Sequence, residues 1–151
     1  MKKSRLIISI LIAIFGIISA FVLMAEPFGK SYELGSGFLV IFGEDNWNYN
    51  VVAPLMIAFF VEMVCVLLPF ASIFLSKKLA KIIYGAGAVL DIVCGVLMLL
   101  ALQLFVAANS GKTPDVEFYS GLGPAFISNA VMVFIAAAIG LVGVLLVNRE
   151  D

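Results

Sequence analysis

Four long apolar runs, at residues 6–25, 51–76, 80–108 and 123–147, dominate this chain and leave few folds open to it. An α-helix of about 20 residues crosses a hydrocarbon core of about 30 Å, and every run reaches that length. The second and third exceed it, enough to tilt or to project beyond the lipid. Inside lipid the backbone must satisfy its own hydrogen bonds, which only helices and closed barrels do, and continuous apolar runs select helices over the alternating pattern of a barrel strand. The sequence therefore predicts an all-α, integral membrane four-helix bundle, one four-span domain over residues 1–151.

Composition agrees with this. Of 151 residues, 64% are hydrophobic and 13% charged, against roughly half and a quarter in soluble domains. The net charge of −1 offers nothing to a polyanion, so no nucleic-acid partner is expected. Histidine is absent, which removes the usual general base and the commonest metal ligand. No nucleophile with a base can be named. The expectation is a non-enzymatic protein with no catalytic residue, no metal and no cofactor.

The segment MKKSR followed by an apolar run resembles a secretory leader, with Ala25 as a weak cleavage position. Its apolar region is longer than the usual 7–15 residues, so it reads as a retained first span. Lys2, Lys3, Arg5, Lys77, Lys78, Lys81 and Arg149 lie at one end of the bundle, and only Lys30 and Lys112 lie at the other. By the positive-inside rule both termini are cytoplasmic, giving a multi-pass protein of the cell membrane. Glu26, Glu33, Glu44, Asp45, Asp115 and Glu117 make the opposite face acidic, which reads as a solvated rim.

The first outer loop, residues 25–50, contains its own apolar run, FLVIF. Gly35, Ser36 and Gly37 are placed to reverse the chain between Tyr32–Leu34 and Phe38–Phe42, which predicts a short β-hairpin on the membrane surface. Phe28, Tyr32, Trp47 and Tyr49 are expected as interfacial anchors. The tract GEDNWNYN is rich in oxygen ligands but lacks the spacing of a calcium loop. The second outer loop ends in Gly123-Pro124, a natural helix start.

Two acids interrupt the spans. Glu62 lies about 16 Å from the outer boundary of the second span, and Asp91 about 15 Å from Lys81 on the third, so both sit near the midplane. A tight turn makes these spans antiparallel neighbours, which lets the carboxyls approach. An intramembrane acid costs about 2.5–3.5 kcal/mol or more unless it faces protein or water. With no basic residue deep in the spans, at least one carboxyl is expected to carry a proton and to hydrogen-bond its partner.

Helical spacing puts Ala58, Glu62, Cys65 and Pro69 on one face of the second span, and Gly87, Asp91 and Gly95 on one face of the third. Ser9, Ala13, Gly16 and Ala20 mark the first span. Ala136, Gly140 and Gly143 mark the fourth, with Ser128 and Asn129 nearer the outside. Gly16, Gly87, Gly95 and Gly140 are the expected helix-packing positions. Cys65 and Cys94 differ in depth by about 10 Å, too far to bridge.

Two functions follow. The favoured one is a small binding, assembly or accessory subunit, as a homo-oligomer or on a larger membrane partner, with the lipid bilayer its other neighbour. The alternative is a proton- or cation-linked carrier or channel whose ligand or ion-binding residues are Glu62 and Asp91.

Overall fold

The computed structural model describes residues 2–27, 35–43, 49–110 and 122–149. Its helices are α1 (Lys2–Ala25), α2 (Gly37–Phe42), α3 (Ala53–Ala71), α4 (Lys77–Leu99), α5 (Ala101–Ala108) and α6 (Pro124–Asn148). Four of them, α1, α3, α4 and α6, are long and apolar enough to cross a membrane. The described residues contain no strand. This is the build of a multi-pass membrane protein.

Each long helix packs on two others, so that α1, α3, α4 and α6 close a ring. Small residues permit the close approaches. A methyl at Gly140 would lie 3.3 Å from the Tyr84 carbonyl oxygen, and one at Gly143 3.0 Å from the Tyr84 ring. Gly95 lies against the Phe134 ring, at 2.5 Å by the same measure, and Gly16 against Val66. Gly87 differs, because a methyl there would meet nothing within 4 Å. Outward-facing residues are large and apolar, as at Leu67, which is 70% exposed. That surface suits acyl chains rather than water.

Helix ends depart from the expected spans for local reasons. Instead of running to residue 76, α3 ends at Ala71, and its last turn tightens into i to i+3 bonds such as Ser72 N to Pro69 O (3.0 Å) and Phe74 N to Ala71 O (3.1 Å). Ser76 then caps α4, its hydroxyl accepting from Leu79 N at 3.4 Å, which starts α4 at Lys77 rather than at residue 80. The third span is also not one helix. At Leu100 (φ −89°, ψ 8°) the chain leaves helical geometry, and its N–H is shared between the carbonyls of Val96 and Leu97, both at 3.1 Å. Beyond this break Ala101 and Phe105 are fully buried, and Tyr49 stacks edge-on against Phe105 at 5.0 Å. Tyr49 thus packs on the bundle; the other three expected anchors lie outside the described residues.

The expected hairpin is not formed. Phe38–Phe42, its second arm, is part of helix α2, while residues 32–34, its first arm, lie outside the described residues. Burial decides the outcome, since Val40 and Ile41 are fully buried among Leu23, Leu55, Phe59 and Phe126. Gly43, at φ 76° and ψ 166°, ends α2 in a conformation open almost only to glycine. Phe42 meets Phe59 edge-on at 5.7 Å, so this end of the bundle is an apolar and aromatic plug.

Candidate functional site

The stripe Ala58, Glu62, Cys65 and Pro69 faces the interior of α3, as the spacing predicts. On α4 the inward face carries Tyr84, Gly87, Asp91 and Cys94. Glu62 is 2% exposed and Asp91 6%. The two acids line one small cavity, together with Ile12, Gly16, Ser19, Cys65, Val66, Val133 and Ala136. Its volume is about 10 Å³, room for about one water molecule.

No hydrogen bond joins the two carboxyls, which corrects the expected acid pair. Glu62 is held instead by Asn129 on α6, whose Nδ2 donates to Glu62 Oε2 at 3.1 Å. The same nitrogen donates to the Ser19 carbonyl oxygen on α1 at 3.3 Å. Because that carbonyl can only accept, the orientation of the amide is fixed. Ser19 keeps its hydroxyl on its own helix, donating to the Gly16 carbonyl at 2.7 Å. Ser19, Glu62, Asp91 and Asn129 thus place one polar residue from each spanning helix in the interior. Two buried acceptors there, Glu62 Oε1 and Asn129 Oδ1, have no partner. A buried polar atom left so is costly, and it marks a place for a donor or a cation.

Cys65 and Asp91 also line a second cavity of about 10 Å³, which extends along α4 past Gly87 to Tyr84 and is bounded by Pro69 and Gly140. The Cys65 thiol lies 4.0 Å from the Gly87 carbonyl oxygen. A methyl at Gly87 would meet nothing within 4 Å, so this residue borders open space rather than a close helix contact. Both cysteines are free and buried. Among the described residues no group of three or more acidic or cysteine side chains is arranged to hold a metal ion.

Beyond Tyr84 a hydroxyl network closes the end that carries both termini. Ser72 Oγ donates to the Tyr84 hydroxyl at 2.8 Å, and that hydroxyl donates to the Arg5 carbonyl oxygen at 3.1 Å. Ser9 Oγ lies 3.3 Å from the Tyr84 hydroxyl and donates to the Pro69 carbonyl oxygen at 2.9 Å. Arg5, only 5% exposed, donates from one guanidinium nitrogen to the carbonyls of Ser72 (2.7 Å) and Leu75 (2.9 Å). A cation that the sequence offers as a marker of orientation is in fact buried and caps the turn that follows α3.

Asn129, Ser19 and Tyr84 were not among the expected site residues. An amide inside an apolar span must find a partner, and that signal was present in Asn129. Comparison with protein-family models, curated proteins and solved structures found no significant match.

Proposed function

We propose that this chain is a non-enzymatic, proton-linked membrane carrier whose proton-binding groups are Glu62 and Asp91. The supporting observation is the unpartnered Glu62 Oε1, buried beside a cavity of about 10 Å³ that Asp91 also lines. Two carboxylates in a low-dielectric interior, with no cation beside them, need neutralising charge. The space suits a proton with about one water, not an organic solute.

The titratable side chains facing this site come from two helices, Cys65 beside Glu62 on α3, and Asp91 and Cys94 on α4. From α1 and α6 the site receives Ser19 and Asn129, which do not titrate. Proton uptake forms one O–H bond on a carboxylate oxygen as one O–H bond of a hydronium ion breaks and leaves water. The asymmetry of lysines and arginines supports a cytoplasmic placement of both termini. This reading takes precedence over an assembly subunit because the unusual chemistry points into the bundle, while the lipid-facing surface is plain and apolar. Assembly as a homo-oligomer is compatible with it.

In sealed vesicles holding a pH-sensitive dye, the wild-type protein is expected to speed collapse of an imposed proton gradient. Glu62→Gln and Asp91→Asn are each expected to abolish that effect while leaving elution and melting unchanged. A gradient that decays equally with wild type and both variants would show that the acids only support the fold.

A further inference from the structure

The buried polar groups are distributed unevenly along the bundle. Among the described residues the buried polar and charged side chains are Arg5, Ser9, Ser19, Glu62, Ser72, Asp91, Asn109 and Asn129. From Asp91 toward the termini, the second cavity leads to Tyr84, and the hydroxyls of Ser9 and Ser72 follow. From Glu62 toward the outer loops come Ala58, Leu55, Phe59, Met98 and Phe126, all apolar and buried. Asn109 lies beyond them and is occupied, accepting from Asn50 N at 2.7 Å and donating to the Phe105 carbonyl at 3.0 Å. Polar partners continue from the acids to the termini end, whereas outward of Ser19 and Asn129 they give way to apolar side chains until Asn109.

We infer that in this conformation the acid site opens toward the termini end, and that Tyr84 is the gate on that path. The inference rests on the proton-linked reading and adds its sidedness. Tyr84 stands where the gate has to be, since its ring closes the second cavity against Gly143 and its hydroxyl is held by Ser72 and by the Arg5 carbonyl. Those are hydrogen bonds between neutral groups at the termini end of the bundle, individually weak enough to break and reform. On the cavity side, Gly87 leaves space that any larger residue would narrow. In this conformation α2 and the aromatic cluster close the outer end.

Cys65 lines both cavities and serves as a native reporter. In the full chain carrying Cys94→Ala it is the sole thiol. Sealed vesicles captured by a C-terminal tag present the termini end outward, and a small charged methanethiosulfonate added outside is followed by intact mass. Tyr84→Ala is expected to speed modification of Cys65 about tenfold, as a more populated open state would. Adding Gly87→Ala should slow it again. Phe126→Ala, a similar truncation at the outer end, should leave the rate unchanged. If Tyr84→Ala melts early, Ser72→Ala removes the hydroxyl donor while keeping the ring, and a several-fold rise is expected there. An unchanged rate in the folded gate variant, or an equal rise in Phe126→Ala, overturns the inference. Failure here would leave the proton reading standing, whereas gradient collapse insensitive to Glu62→Gln would remove that reading without touching the Cys65 result.

Discussion

Asn129 donates to Glu62 across the bundle, at 3.1 Å, and so ties α6 to α3, helices that are not neighbours in the ring. With the Ser19 carbonyl as second acceptor, one amide joins three spans at the depth of the acid. The site is consequently held from several directions rather than by α3 alone.

Removing that amide is expected to destabilise the bundle. Asn129→Ala leaves Glu62 with no protein partner and should cost about 1–2 kcal/mol. Replacing both residues, as Glu62→Met with Asn129→Leu, should restore most of the loss, because no buried polar atom is then left unpaired. Reversible unfolding in mixed micelles measures both; a double variant as unstable as the sum of the singles would contradict the pairing.

Arg5 is expected to matter for stability more than its terminal position suggests. It donates to two carbonyls at the end of α3, where a cation also complements the helix dipole. Arg5→Ala should cost about 2–3 kcal/mol, and Arg5→Lys should recover only part of this, since an ammonium lacks the planar fork. The same unfolding assay reads both.

The glycines on facing helices should respond in opposite ways. Gly16→Ala drives a methyl into Val66 and is expected to cost about 1–3 kcal/mol. Gly87→Ala enters open space and should be neutral or up to about 1 kcal/mol stabilising through helix propensity. Equal losses at the two positions would mean that α4 packs more tightly at Gly87 than described.

Gly43 tests the outer plug. Its φ of 76° and a methyl position 2.7 Å from the Tyr49 carbonyl oxygen leave no room for a side chain. Gly43→Ala is expected to cost about 2–3 kcal/mol and to make the first outer loop more sensitive to limited proteolysis.

The features legible in the sequence were those set by length and period. Apolar run length located all four spans, and helical spacing turned Ala58, Glu62, Cys65 and Pro69 inward together. Features decided by tertiary packing were hidden. FLVIF is too short for periodicity to separate strand from helix, and the burial of Val40 and Ile41 chose the helix. Leu100 carries no local signal for a break. Arg5 was disguised by its position, because a basic residue before a span ordinarily reports orientation rather than a cap. Ser76, assigned from the sequence to the end of the second span, is instead the cap that starts α4.

The central claim, that Glu62 binds and releases a proton inside the bundle, is tested most directly by infrared difference spectroscopy of the reconstituted protein during a pH change. The wild type is expected to show a carboxylic C=O band that falls as the medium is made alkaline, with a carboxylate band rising in its place. Glu62→Gln should lose that component, and Asn129→Ala should shift its frequency by removing the hydrogen bond to Oε2. A wild-type spectrum indistinguishable from that of Glu62→Gln across the pH range would contradict the account.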